Sequence, residues 1–217
     1  MDSRLTPTSP IKSREKILAR AADLIHSRGL NHTSIQDILE AASVTKSNFY
    51  YHFESKEQLG FEVLALRMRQ FYLLAIEPSL VKSDLEPRQR VHAFLDRLMA
   101  HGMSPAGELG CPFGNLAQET SALHEPMREA LSAMFRACTE AMEKCFEQGK
   151  ETGAFRADMP SGEVAEFVLA QIQGSFLLRK AHKDPLVLKR NVEMLHAFID
   201  GWRGRQLHHE ARRTEHG

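Results

Sequence analysis

Apolar residues recur every three or four positions along most of the chain, which is the spacing of one face of an α-helix. The first such run ends at Gly29, and glycine is typical of helix C-termini. Its apolar positions are Ile17, Leu18, Ala21, Ala22, Leu24 and Ile25. Either Thr33 or Ser34 can cap the next helix and Thr45 the one after it, which predicts two short helices over about 34–42 and 45–51.

Longer helices are predicted in the rest of the chain. Ser55 caps a fourth helix that runs to about Ile76, because Pro78 cannot continue it. Further helical stripes lie over about 91–98, 126–149, 161–181 and 185–202, with a loop at Pro105 and Gly107 and a partly helical segment over 109–123. No stretch alternates with a period of two, so we expect an all-α fold without strands.

Composition narrows the class of protein. The 217 residues are 42% hydrophobic and 26% charged, so the chain can bury a core. No apolar run reaches the length of a membrane span and the N-terminal residues have no hydrophobic signal core, so we expect a cytoplasmic protein. Three cysteines are an odd number and argue against a disulfide framework. The 28 basic and 28 acidic residues cancel, which by itself does not favour nucleic-acid binding.

The two short helices at 34–42 and 45–51, with the tight turn between them, have the lengths of a helix-turn-helix, whose second helix enters the DNA major groove. Nearly every residue of this second helix can donate a hydrogen bond to base edges or phosphates. These residues are Thr45, Lys46, Ser47, Asn48, Tyr50, Tyr51 and His52. Phe49 and Phe53 alone are clearly apolar and would anchor the helix. The alternative is that the polar residues only coat a solvated helix, and periodicity alone favours that alternative.

Lys56 lies in the first turn of the next helix, where a positive charge opposes the helix dipole. This placement is understandable if Lys56 and nearby backbone N–H groups bind a DNA phosphate.

The same region resembles the signature of the TetR family of transcriptional regulators. It reads Thr-Ser-Ile at 33–35, Ala-Ala-Ser-Val-Thr-Lys-Ser-Asn-Phe-Tyr-Tyr-His-Phe at 41–53 and Ser-Lys-Glu-Gln-Leu at 55–59. The run Tyr-Tyr-His-Phe followed by Ser-Lys-Glu is highly specific for that family, and the resemblance is strong over about residues 13–65. Ser43 and Ser47 stand where the family often has glycine. A left-handed backbone at Ser43 is expected at some cost.

The resemblance implies a ligand-responsive regulator, most often a repressor, that binds a palindromic operator as a homodimer. The residues it assigns to DNA are Thr33, Ser34, Thr45, Lys46, Ser47, Asn48, Tyr50, Tyr51, His52 and Lys56. It also implies that the last two helices form the dimer interface as a four-helix bundle. The residues expected there are Phe176, Val192, Leu195 and Ile199, although one intramolecular partner would satisfy their apolar stripes equally.

These expectations divide the chain into four parts. They are a flexible arm at 1–11, a helix-turn-helix DNA-binding domain at 12–58, an effector-binding and dimerisation domain at 59–202, and a flexible tail at 203–217. The expected partners are double-stranded operator DNA, a small-molecule effector and a second copy of the chain, with no cofactor and no metal site.

An effector pocket is expected between the helices of residues 66–160. The segment from Gly110 to Glu119 resembles a similarly placed segment in a TetR subgroup that includes repressors responding to reactive electrophiles through a cysteine. If a helix begins near Gly114, Cys111 lies at its N-terminus, where the dipole and free N–H groups would stabilise a thiolate. Phe113 and Asn115 are further candidate effector contacts. The alternative is that Cys111 is a small apolar filler.

Other patterns are less specific. Cys138 and Cys145 lie seven positions apart on one apolar stripe, which indicates core residues. His92, His101 and His124 could line the pocket, although scattered histidines are usually ordinary surface residues. Two other function classes remain open: a thiol enzyme built on Cys111 and His124, and a helical adaptor that binds only protein.

Overall fold

Helices make up almost all of residues 10–82 and 84–204, which are the residues that the computed structural model describes. In chain order they are α1 (Pro10–Arg28), α2 (Ile35–Ala42), α3 (Lys46–His52), α4 (Lys56–Phe71), a π-helix (Tyr72–Val81), α5 (Pro87–Met103), a 3₁₀-helix (Pro105–Leu109), α6 (Pro112–Thr120), α7 (Glu125–Glu151), α8 (Ser161–His182) and α9 (Pro185–Asp200). The all-α prediction is confirmed for these residues, which contain no strand beyond an isolated bridge between Phe155 and Arg203. Within the same ranges no helix is both long and apolar enough to cross a membrane.

The ends of α1 follow from its sequence. The helix begins at Pro10, so the last two residues of the predicted arm at 1–11 are helical, and residues 1–9 lie outside the described part of the chain. Proline suits this first position because its missing N–H has no helical partner there. At the other end Gly29 has a φ of 91°, a left-handed value that favours glycine and ends the helix as predicted.

The last described residues return to the body of the protein. Arg203 pairs with Phe155, and the Gly204 amide donates to the Ala154 carbonyl at 3.1 Å. The first two residues of the predicted tail at 203–217 are therefore ordered, and residues 205–217 lie outside the described part.

The prediction that Pro78 ends the fourth helix is wrong. The chain continues from α4 into the π-helix, and Pro78 lies inside that element. Proline lacks a backbone N–H and crowds the carbonyl four residues earlier, which here belongs to Leu74. The Arg97 guanidinium of α5 donates to that carbonyl at 3.3 Å, so the Leu74 oxygen keeps a hydrogen bond while the helix passes the proline.

The helices enclose two apolar cores. One belongs to the head, formed by α1 to α4, and the other to the body, formed by the π-helix, α5 and α7 to α9. The core of the head also contains Phe113 and Leu116 of α6 and Met127 and Leu131 of α7. The short helices of the head therefore depend on the body for part of their burial, as expected for a unit this small.

The turn between α2 and α3 sets the direction of α3. Ser34 forms a capping box with Asp37 at the start of α2, and Thr45 accepts a hydrogen bond from the Asn48 amide at the start of α3. Between them Ser43 has φ 51° and ψ 51°, which confirms the left-handed conformation expected from the sequence. A side chain with a Cβ atom is strained in this conformation by about 1–2 kcal/mol.

Replacing Ser43 with glycine is expected to stabilise the protein by about 0.5–1 kcal/mol, since the strain relieved exceeds the extra chain entropy of glycine. Ser43→Ala keeps the Cβ atom and is the matched control, expected to leave stability near that of the wild type. Urea denaturation followed by circular dichroism measures both changes. A lower free energy of unfolding for Ser43→Gly would show that the turn holds no relievable strain.

Candidate nucleic-acid interface and effector cavity

Helix α3 is anchored by two aromatic rings and leaves its polar side chains outward. Phe49 and Phe53, one helical turn apart, are fully buried and lie 5.6 Å apart between ring centroids. The Arg14 guanidinium of α1 stacks over the Phe53 ring at 5.4 Å and pairs with Glu62 of α4. Helices α1 and α2 contact α3, and Tyr51 on its outer side is 74% exposed.

Most of the predicted DNA-binding side chains are exposed. The exposed members are Ser34, Thr45, Lys46, Ser47, Tyr50 and Tyr51. Thr33 is an exception, because it is fully buried and its hydroxyl donates to the Gly29 carbonyl at 2.7 Å. It fixes the loop after α1 and cannot contact DNA in this arrangement, which corrects its assignment.

Three further predicted contacts are half-buried. Asn48 Oδ1 and His52 Nε2 are both shielded from solvent without a hydrogen-bond partner in the described structure. The Lys56 ammonium donates to the Leu30 carbonyl at 3.1 Å, which leaves two of its N–H groups for another acceptor. This contact offsets part of the unfavourable charge at the start of α4.

Glu119 at the end of α6 joins the body to the head. Its carboxylate accepts the Leu30 amide at 2.9 Å and the Asn31 amide at 2.6 Å, both in the loop that follows α1. At the other end of α6, the Gly110 carbonyl contacts the His26 Nε2 of α1 at 2.9 Å. No local sequence signal assigns a role to Glu119, because its partners lie 88 and 89 positions away.

A cavity of about 600 Å³ lies where α1, α4, α5, α6, α7 and α8 meet. Its apolar wall includes Phe71, Phe94, Phe113, Met134, Ile172 and Phe176, and its polar wall includes Asp23, His26, Arg67, Arg97, His101 and Gln173. The predicted pocket at residues 66–160 is thus found, with additional walls from α1 and α8. This size is ordinary for a small-molecule site.

Cys111 lies in the cavity wall as the N-cap residue of α6, so the predicted position at a helix N-terminus is confirmed. The expected stabilisation of a thiolate is wrong for this structure. Burial raises the pKa of the Cys111 thiol, and this effect exceeds the opposing hydrogen bonds from the Gly114 amide, the Gln173 side chain and the Phe113 amide. The helix terminus is insufficient because the effect of burial on the thiol outweighs it.

The other two candidate effector contacts differ in their position relative to the cavity. Phe113 lines the cavity, but Asn115 does not. The Asn115 side chain donates to the Leu109 carbonyl at 2.8 Å and accepts from Lys180 at 3.2 Å, so it fixes the segment before α6. The two cysteines of α7 are buried as predicted, and burial raises the pKa of Cys138 to about 12 and that of Cys145 to about 11.

Of the three candidate histidines, only His101 lines the cavity. His92 stacks on His196 between α5 and α9. His124 caps α7 by accepting the Met127 amide at 3.2 Å, and it is not a cavity residue beside Cys111 as the thiol-enzyme alternative requires. His26, which the sequence did not single out, is the second histidine of the cavity.

The predicted interface residues of the last two helices face inward. All four lie in the core of the body and are at most 4% exposed: Phe176, Val192, Leu195 and Ile199. They pack in one core within a single subunit, which was the alternative that the sequence left open. The opposite face of α8 and α9 is also apolar, and its large exposed members are Phe167, Leu177, Leu178, Leu186 and Met194.

Known proteins match both parts of this architecture. Residues 17–63, which include α2 and α3, match the family described as "Bacterial regulatory proteins, tetR family". Residues 87–195 match the family described as "Tetracyclin repressor-like, C-terminal domain".

Whole proteins match as well. The chain is 30% identical to the HTH-type transcriptional repressor DhaR of Mycobacterium sp. (strain GP1) over 189 residues, which cover 86% of this chain and 88% of the relative. It is 30% identical to the HTH-type transcriptional regulator LmrA of Bacillus subtilis (strain 168) over 185 residues, covering 85% and 92%. A crystal structure of a TetR transcriptional regulator from Chloroflexus aurantiacus superposes with a TM-score of 0.83 at 25% identity, covering 90% and 98%. The chain therefore belongs to the TetR family and is a DNA-binding transcriptional regulator.

Proposed function

We propose that this protein represses transcription by binding a palindromic operator as a homodimer, and that a small molecule filling the cavity releases it from DNA. The observation that carries the proposal is α6, which forms the cavity wall at Cys111 and holds the head through Glu119. Repression, rather than activation, is favoured by the relative DhaR, which is named a repressor.

The outer side of α3 supports sequence reading in the major groove. Ser47, Tyr50 and Tyr51 share this side, and Lys46 stands at the start of the helix. Hydroxyl and ammonium donors suit base edges and phosphates. Lys56, held by the Leu30 carbonyl, is proposed to donate its remaining N–H groups to a phosphate.

The exposed apolar face of α8 and α9 supports a homodimer. Phe167, Leu177 and Leu178 lie on one side of α8, and Leu186 and Met194 lie on α9. Contiguous apolar surface of this kind marks an interaction site, and two helices from each subunit would form a four-helix bundle. Gly174, on the same side of α8, has nothing within 4 Å of the position of a Cβ atom, so a partner helix can approach there.

The position of the cavity supports release by a ligand. It lies between the two cores, and an occupant that fits only one arrangement of α6 shifts the equilibrium towards that arrangement. Since burial raises the pKa of the Cys111 thiol, a reversible occupant accounts for release better than thiolate attack on an electrophile.

Replacing Lys56 with alanine is expected to weaken binding to all duplexes alike and to reduce the slope of log K against log salt by about one unit, because one phosphate contact is lost. Fluorescence anisotropy with duplex DNA at several salt concentrations measures the slope. Lys144→Ala changes an exposed lysine of α7 and is the control, expected to leave the slope unchanged. An unaltered slope for Lys56→Ala would remove Lys56 from the DNA interface.

Replacing Met194 with glutamate is expected to dissociate the dimer while the subunit stays folded, because Met194 is 68% exposed in the single subunit but buried in the proposed bundle. Light scattering gives the mass, and circular dichroism gives the fold. Leu73→Glu is the matched control, an exposed leucine outside this face that is expected to leave the dimer intact. A Met194→Glu protein that remains dimeric would place the interface elsewhere.

A cavity-filling variant can stand in for a ligand. Cys138→Phe adds a ring in the cavity wall and is expected to weaken operator binding about tenfold, within the usual range of coupling between sites. In a Glu119→Gln background the same change should have less than half this free-energy effect, because the link to the head is already weakened.

Binding to an operator selected from random duplexes measures all four proteins of this cycle, and thermal unfolding verifies that each is folded. Cys138→Ala removes the thiol without filling the cavity and should bind DNA like the wild type. An undiminished effect of Cys138→Phe in the Glu119→Gln background would exclude α6 as the connection.

A further inference from the structure

The residues around the cavity fall into two groups by exposure. The apolar residues are deep: Phe94, Phe113, Met134, Ile172 and Phe176 are buried. The polar residues are near solvent, because Asp23, Gln70, Arg97 and His101 are all exposed. The cavity therefore has an apolar interior and a polar mouth, an arrangement that suits an elongated molecule with chemically different ends.

The mouth has an excess of positive charge. Arg67 donates to Asp23 at 3.2 Å and to Gln70 at 3.2 Å, and its Nε is shielded from solvent without a partner. Arg97 has no carboxylate within ion-pair distance in the described part of the chain, and its one hydrogen bond is to the Leu74 carbonyl. Two guanidinium groups thus face a single carboxylate.

Two histidines add to this polar end without adding charge. Burial lowers the pKa of His26 below its ordinary value of 6.5, and the charges of Arg67 and Lys180 act in the same direction against a weaker opposing effect of the Gly110 carbonyl. Partial loss of contact with water, followed by the charge of Arg67, lowers the pKa of His101, although the residue as a whole is exposed. Both shifts favour the neutral form of the ring. A negative charge placed among them would raise both pKa values.

We propose that the ligand of this cavity is an amphipathic anion, with its carboxylate at the Arg97 end and its apolar body among the buried phenylalanine rings. The inference rests on the proposed function, because it takes the cavity as the effector site and names the ligand class. A carboxylate supplies the counterion that Arg97 lacks in the described part of the chain, and hydrogen bonds between charged groups are the stronger kind. A cationic amphiphile would meet two guanidinium groups, and a neutral one would leave Arg97 without a counterion.

The test compares three probes of equal chain length: decanoate, 1-decanol and decyltrimethylammonium. Isothermal titration calorimetry of the full-length protein is expected to show decanoate binding at least about tenfold more tightly than either other probe. Arg97→Gln should weaken decanoate binding about tenfold and leave the affinity for 1-decanol unchanged. Arg97→Lys should retain most of the decanoate affinity. Arg69→Gln, an exposed arginine of α4 outside the cavity, is the matched control and should have no effect.

Decanoate binding should also take up protons. The histidine pKa values are low in the free protein and higher in the complex, so affinity increases as pH falls from about 8 to about 6. Titrations in buffers of different ionisation enthalpy measure the uptake. The other charged groups around the two rings are Asp23, Arg67, Arg97 and Lys180. Replacing both rings, His26→Asn with His101→Asn, should remove the uptake.

Operator binding, measured separately with decanoate present, distinguishes the two proposals. Preference for decanoate that depends on Arg97 supports the ligand class, and if the operator is nevertheless retained, the proposed release is wrong while the anion site stands. Equal or tighter binding of 1-decanol or of the cation, no effect of Arg97→Gln, or no binding of decanoate would overturn the ligand class. If 1-decanol alone then released the operator, the proposed function would stand and the proposed anionic ligand class would be wrong.

Discussion

The carboxylate of Glu119 joins the body to the head at the loop that follows α1. The amides of Leu30 and Asn31 follow α1 and have no helical acceptor, so without Glu119 both would depend on water. Hydrogen bonds to a charged acceptor contribute about 1.5–3 kcal/mol each. Gly29 makes this approach possible, because its left-handed φ turns the chain and a Cβ atom there would lie 2.8 Å from the carboxylate. Glu119 therefore fixes the loop after α1 to one end of α6, and the His26–Gly110 contact fixes α1 near the other end.

The cavity lies between the core of the head and the core of the body. Phe71, at the end of α4, packs against both cores. Its ring centroid lies 6.3 Å from that of Phe94 in the core of the body and 5.6 Å from that of Phe113, the α6 residue in the core of the head. Cys111 also contacts both. A close-packed interior transmits a change in one wall to its neighbours. An occupant can therefore act on both domains from this position, whereas one buried within a single core would act on that core alone.

Local sequence signals predicted the head well. Ser34, Thr45 and Ser55 all cap the helices they were expected to cap, and the strain at Ser43 follows from a side chain where a left-handed turn is needed. The same local signals could not place Thr33, whose burial depends on the loop of Gly29. The prediction that the helix ends at Pro78 was wrong because the Leu74 carbonyl, which the proline leaves without a helical donor, accepts a hydrogen bond from Arg97 on another helix.

Long-range contacts explain what the sequence could not predict in the body. Helix α8 is apolar on two sides, and periodicity identifies both stripes without showing which one faces the core; Phe176 turned out to be inside and Leu177 outside. For Cys111 the helix terminus was visible in the sequence, but the burial that raises its pKa comes from tertiary packing. Local chemistry thus indicated the position of this site, and packing determined its properties.

Hydrogen–deuterium exchange at Leu30 and Asn31 tests the central claim most directly, since these two amides owe their protection to Glu119. The measurement compares the wild-type protein with Cys138→Phe, whose added ring occupies the cavity. The account predicts slow exchange at both amides in the wild type and faster exchange in Cys138→Phe, together with its weaker operator binding. Unchanged protection at Leu30 and Asn31 in a variant that has lost operator affinity would contradict it, because the cavity would then act on the head without loosening this contact.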